Sequence, residues 1–180
     1  WDVTYLHGRR TKIPTGACET IEFFSTLDLE QFLKKHLSSQ KFDAVIHLAA
    51  VSDYAPVSIN KNGNYNKINS NTKIPSKEKK ITVEFERTPK LVQSIKKYSQ
   101  NSNLVLIAFK MTVGEFDGKS ESEKLLADSE SNLVVQNNFN ERAGGKQKNF
   151  TIYGENGFSK KFTTAPELGL RLEQFCRSGK

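Results

Sequence analysis

Cysteine is scarce in this chain: two residues, Cys18 and Cys176, lie far apart and outside any paired spacing. That argues against a disulfide scaffold and a cysteine metal site, and makes a reducing cytoplasm the expected compartment. Histidine is almost as rare, and His7, His36 and His47 each read as a surface or core residue. No apolar run is long enough to cross a bilayer, and no secretory signal opens the chain. Acidic residues are in deficit, 20 against 27 basic ones, which leaves a net charge of +7 and favours an anionic partner. The basic residues are scattered and the aromatic ones sit mostly in apolar runs. That pattern suits phosphate binding or a solvated surface rather than a nucleic-acid stripe.

What the chain does have is concentrated in Phe42 to Pro56, FDAVIHLAAVSDYAP. Ala44 to Ile46 and Leu48 to Val51 form a nearly unbroken apolar run with the branched residues of a buried strand. The run turns abruptly to Ser52, Asp53 and Tyr54. A buried parallel strand that ends in small and polar residues is how an open α/β sheet presents a binding crevice.

Strand and helix patterns alternate on either side. Trp1 to His7 alternates like a half-buried strand, and Ile21 to Phe24 is a second short one. Ser25 or Thr26 caps a helix carrying Leu29, Phe32, Leu33 and Leu37 on one face. Ser58 to Lys80 interleaves asparagine with lysine and has almost nothing to bury, so it is expected to be a mobile flap that orders over a ligand. Ile81, Val83 and Phe85 share a strand face. Thr88-Pro89 is a cap and first helical residue for a helix buried through Leu91, Val92, Ile95 and Tyr98. Leu104 to Phe109 is a fully buried strand, followed by a helix around Ser120 to Ser129 and a strand from Asn132 to Asn138. Phe150 to Tyr153 and Phe158 to Phe162 flank Asn156-Gly157 as a hairpin. Thr164 and Glu167 form a capping box for a last helix with Leu168, Leu172, Phe175 and Cys176.

This order implies an α/β fold: a Rossmann-like doubly wound, mostly parallel sheet with a C-terminal antiparallel hairpin. The 180 residues, 36% of them hydrophobic, suffice for one domain spanning residues 1–180. The chain opens at Trp1, already inside a strand pattern, so a segment upstream of it is expected.

Three functional classes suit such a sheet. One is an extended short-chain dehydrogenase or epimerase that binds NAD(P), in which a lysine four residues after a tyrosine lowers its pKa. Four residues after Tyr5, Tyr54, Tyr65, Tyr98 and Tyr153 stand Arg9, Ser58, Asn69, Ser102 and Gly157, which counts against that class. Another is a non-catalytic nucleotide-binding module. The third is a ligase.

Several short motifs in order carry the third reading. Ala49-Ala50-Val51-Ser52-Asp53-Tyr54, Lys73-Ile74-x-Ser76, Thr88-Pro89-Lys90-Leu91, Phe109-Lys110-Met111 and the Lys124-Leu125 helix together resemble phosphopantothenate–cysteine ligase. The resemblance spans nearly the whole chain, and its Phe-Lys pair is similar to the stand-alone enzymes. It implies a cytoplasmic homodimer of coenzyme A biosynthesis with no membrane or nucleic-acid partner. Its substrates would be 4′-phosphopantothenate, cysteine and CTP or ATP with Mg²⁺. The carboxylate attacks the α-phosphate, pyrophosphate leaves, and the cysteine amine displaces the nucleotide from the acyl-nucleotidylate. Lysines, backbone amides and Mg²⁺ serve such chemistry without a side-chain nucleophile.

The resemblance also implies roles. Ala49, Ala50, Val51 and Ser52 lie against the nucleotide, and Asp53 contacts nucleotide or metal; otherwise Asp53 reads as a loop cap. Lys73 is the catalytic flap lysine that meets the triphosphate. Lys90, Leu91, Val92 and Gln93 form a helix start lining the site. Phe109 is a ring beside the base, or else a core residue. Lys124 binds phosphate from its helix. No side chain is assigned to a resident metal. The fused bacterial enzymes carry a second lysine four residues after Lys124, where this chain has Asp128. The family's Ala-Asn pair appears here only as Gln136-Asn137-Asn138. A front strand and glycine-rich segment of the family have no counterpart. The terminal hairpin, with Phe150, Ile152, Phe158 and Phe162, is the expected dimer surface.

Overall fold

Five consecutive residues, Leu104 to Ala108, are buried almost completely, which only a strand covered on both faces achieves. They belong to the middle of the sheet. The computed structural model describes residues 1–61, 63–69, 72–73, 76–77, 79–115 and 117–178. Asn62, Ser70, Asn71, Ile74, Pro75 and Glu78 of the expected flap, Ile74 of the lysine motif among them, lie outside the described residues. In chain order the strands are β1 (Thr4–Gly8), β2 (Glu19–Phe23), β3 (Ala44–His47), β4 (Tyr54–Lys61), β5 (Asn64–Lys67), β6 (Thr82–Arg87), β7 (Val105–Thr112), β8 (Leu133–Asn138), β9 (Arg142–Ala143), β10 (Lys146–Gln147), β11 (Phe150–Gly154) and β12 (Ser159–Phe162). The helices are α1 (Thr26–Ser39), α2 (Ile95–Tyr98), α3 (Gly118–Ser129) and α4 (Ala165–Ser178). The chain divides into two units, residues 1–49 with 91–180, and residues 50–90.

The first unit is built on a five-stranded sheet in the order β12-β11-β8-β7-β3. β3, β7 and β8 run parallel, with His47 opposite Ala108 and Phe109 opposite Val135; β11 and β12 close one side antiparallel. This is the expected mixed α/β sheet with its antiparallel hairpin. Side chains alternate across it. Val105, Ile107, Leu133, Val135, Phe150 and Ile152 pack under Leu168 and Leu172 of α4. Leu106, Ala108 and Val134 point to the other face, where α3 lies. Local signals account for the helices. Ser25 and Asp28 exchange side-chain-to-backbone bonds in a capping box, and Leu29, Leu33 and Leu37 bury one stripe of α1. At α4, Glu167 N donates to Thr164 Oγ1, and the Glu167 carboxylate accepts from Thr163 N and Oγ1.

Three expectations change. The apolar run after Asp43 is less buried than its composition suggests: Ile46 is 44% and Leu48 60% exposed. The cause is position. β3 is an edge strand of its sheet, and β1 and β2 form a separate parallel pair, so β3 has one neighbour among the described residues. Two of the four apolar residues expected at a dimer surface on the hairpin are unavailable, since Phe150 and Ile152 are buried under this chain's own α4, while Phe158 is 40% exposed. The hairpin's edge strand β12 also carries Lys160 and Lys161, which discourage pairing.

The third change lies in the second unit, a three-stranded antiparallel sheet in the order β5-β4-β6. The polar stretch expected to lack regular structure supplies the second half of β4 and all of β5, with Lys61 opposite Asn64. Gly63 turns the hairpin at φ +88, where a side chain would be strained. Pro56 cannot donate to the ladder, and the register shifts between Pro56 and Ser58.

Candidate nucleotide site

Parallel strands open a crevice at their carboxyl ends, so the residues just past β3, β7 and β8 are the candidates in the first unit. Ala49 follows the end of β3 and is half-buried. Phe109 is half-buried too, but its ring packs against the core cluster under α4. It is a core phenylalanine at least in part. The next residue on β7 points to the opposite face. Lys110 Nζ donates to Glu121 Oε2 of α3 at 2.7 Å, with the two side chains 34% and 45% exposed. The Lys110 hydrogen bond and charge, with Lys124 adding its own, hold the Glu121 carboxyl below the usual carboxylate range. Lys124 is exposed one turn further along α3. Polar groups continue the rim: Gln136 Nε2 donates to Thr112 Oγ1 at 2.8 Å, and Asn138 Nδ2 to the Gly114 carbonyl at 2.8 Å. Gly118 lets the start of α3 approach closely, since a Cβ there would stand 2.8 Å from the end of the Gln136 side chain, which would have to move aside.

Leu91, Val92 and Gln93 form a 3-10 turn, with Ser94, rather than the start of a regular helix, and α2 follows from Ile95. Leu91 is wholly buried and Val92 and Gln93 are half-buried, so Leu91 offers a ligand nothing but its backbone. The expected cap is absent because Thr88 is used elsewhere.

That use is in the second unit. Thr88 Oγ1 donates to the Ser52 carbonyl at 2.6 Å, and Thr88 N to the Asp53 carbonyl at 2.9 Å. Ser52 Oγ donates to the Tyr54 carbonyl at 2.6 Å. Lys90 Nζ completes the clasp on Asp53 Oδ1 at 2.5 Å. Asp53 is therefore an ion-pair partner and not a cap for backbone amides. Ala50, Val51, Ser52, Asp53 and Lys90 are brought into one segment of this unit, and Lys73 is exposed next to Thr72, whose N–H donates to the Asn69 carbonyl at 3.0 Å. No three His, Cys, Asp or Glu side chains stand together as a metal site among the described residues.

The family described as the C-terminal domain of DNA/pantothenate metabolism flavoprotein matches residues 1–168. The chain belongs to that family. One curated member of similar sequence is the coenzyme A biosynthesis bifunctional protein CoaBC of Thermococcus kodakarensis, 27% identical over 167 residues. The alignment takes in 91% of this chain and 38% of that protein, so the chain spans well under half of its relative. The DNA/pantothenate metabolism flavoprotein from Streptococcus pneumoniae shares the fold, with a TM-score of 0.84 at 21% identity over 100% of this chain and 82% of that one. A Cab2 mutant in complex with phosphopantothenate-cysteine aligns with a TM-score of 0.59 at 14% identity, over 89% of this chain and 55% of that one.

The Lys110–Glu121 pair of this chain has no role assigned from its sequence. Its signal was present: Lys110 is the first charge after five buried residues at a crevice edge, and Glu121 stands three residues before Lys124.

Proposed function

We propose that this chain is a phosphopantothenate–cysteine ligase domain that activates 4′-phosphopantothenate as an acyl-nucleotidylate. The observation that carries this reading is membership of the pantothenate flavoprotein C-terminal family across residues 1–168. A carboxylate oxygen of phosphopantothenate attacks the α-phosphorus of CTP or ATP, and pyrophosphate departs. The cysteine amine then attacks the acyl carbon, and the nucleoside monophosphate leaves with the electron pair of the broken C–O bond. Each step moves charge among phosphates and a carbonyl, so fixed cations and amides are the useful groups. Lys73, Lys90 and Lys124 supply cations, and Ala49 to Asp53 line the nucleotide. Magnesium enters as part of the metal–nucleotide substrate.

The domain acts in the cytoplasm as a homodimer. No helix among the described residues is long and apolar enough to cross a membrane, and both cysteines are free. Tyr54, Tyr65 and Phe85 of the second unit are each more than half exposed and offer a dimer surface apart from the hairpin. Light scattering of the Phe85→Glu variant should report monomers where the unsubstituted protein reports dimers.

The test of the reaction uses the complete gene product. Pyrophosphate release should require phosphopantothenate and CTP or ATP, and cysteine should be needed only for it to continue beyond one turnover. Release that ignores phosphopantothenate, or binding of NADP in place of the triphosphate, would overturn the reading.

A further inference from the structure

Two lysines act on one carboxylate at the carboxyl edge of the parallel strands. Lys110 reaches Glu121 from β7, and Lys124 stands one helical turn beyond Glu121 on α3. Glu121 can neutralise one of them, so the trio keeps one positive charge in excess where the crevice opens. The other lysine of α3, Lys119, is paired with Glu123 at 3.8 Å, and one turn beyond Lys124 the helix carries an exposed acid, Asp128. We propose that Lys110 is a phosphate-binding residue of the nucleotide site, the second cation beside Lys124, with Glu121 holding its ammonium at the crevice.

The proposal rests on the ligase reading above and adds to it a residue and a division of labour. A purely structural staple between α3 and β7 is the competing account. Ion pairs as exposed as this one add little to the stability of a fold, and an apolar residue at a strand end would serve packing as well. A strand lysine is useful where its stem packs and its charge meets an anion. The surroundings favour the second account. Lys110 lies opposite Gln136 in the strand register, and Gln136, Thr112 and Asn138 add polar groups along the same rim. Phe109, one residue earlier, is turned into the core on the other face, so this edge presents its lysine and amides.

Calorimetric titration of the complete gene product with CTP or ATP, and in parallel with cytidine or adenosine, separates the accounts. Lys110→Met should weaken the triphosphate by about tenfold to a hundredfold, the range of one charge-assisted contact. It should leave nucleoside affinity unchanged and make the triphosphate affinity less sensitive to salt. Lys110→Arg should stay within about threefold of the unsubstituted protein, because the charge is kept. Adding Asp128→Lys to Lys110→Met should restore much of the loss by returning a cation to α3. Unchanged triphosphate affinity in Lys110→Met would overturn the proposal. Equal loss of triphosphate and nucleoside with a lowered Tm would also overturn it, in favour of the staple. If the unsubstituted protein binds neither triphosphate, the ligase reading and this proposal fall together.

Discussion

Lys90 Nζ sits 2.5 Å from Asp53 Oδ1, and both side chains remain about half exposed. The acid proposed to face the nucleotide is thus already paired within its own unit. Exposed pairs of this kind contribute little to folding. A double-mutant cycle with Asp53→Asn and Lys90→Met, followed by urea denaturation, should give a coupling of about 0.2–1 kcal/mol. Nucleotide affinity should respond far more than stability does. A coupling of several kcal/mol would show the pair to be a structural lock instead.

Lys73→Ala should weaken use of the triphosphate by about 1.5–3 kcal/mol, the value of one charge-assisted phosphate contact. Lys73 is exposed, so the melting temperature should hold. The kinetic constants for the nucleotide are the measurement, and an unchanged rate would remove Lys73 from the site.

His47 ends β3 half-buried, and burial pushes its pKa below the ordinary histidine value. The folded state therefore resists its protonation while the unfolded chain does not. Stability from this group is complete above the unfolded pKa, near 6.5. It is lost as pH falls through that value toward the folded one. Urea midpoints should decline between about pH 7.5 and 5.5, and His47→Asn should flatten that decline. Glu30 and Glu121, whose pKa values are lowered by Lys34 and Lys110, contribute a separate loss only at more acidic pH.

β1 and β3 each keep one side without a strand neighbour among the described residues. Trp1, ahead of β1, and Asp43, ahead of β3, line a common cavity of about 790 Å³. Hydrogen exchange should find β1 and β3 amides opening well before those of Leu106 to Ala108, which are nearly inaccessible. Equal protection would mean that another strand covers these edges in solution. Leu106→Ala, by contrast, should destabilise the whole domain by about 2–5 kcal/mol.

Much of the architecture was written in local pattern. Leu104 to Phe109 is apolar without interruption, and that suffices for a strand buried on both faces. Leu29, Leu33 and Leu37 recur at helical spacing behind a Ser25 cap, and Asn156-Gly157 marks the hairpin, because these signals involve neighbours a few residues apart. Asn62-Gly63 was an equally local hairpin signal, masked by the lysines and asparagines around it.

Other features depend on partners that spacing does not specify. Ile46 and Leu48 are as apolar as Ile107, yet β3 lies at an edge and leaves them exposed while β7 has a strand on either side. Thr88-Pro89 carries the residues of a helix start, but the fold brings Thr88 to Ser52, 36 positions away, and its hydroxyl is used there. Lys110 and Glu121 meet because α3 packs back across β7. A side chain's local preference is set by its chain neighbours, whereas its hydrogen-bond and charge partners are set by strand register and helix packing.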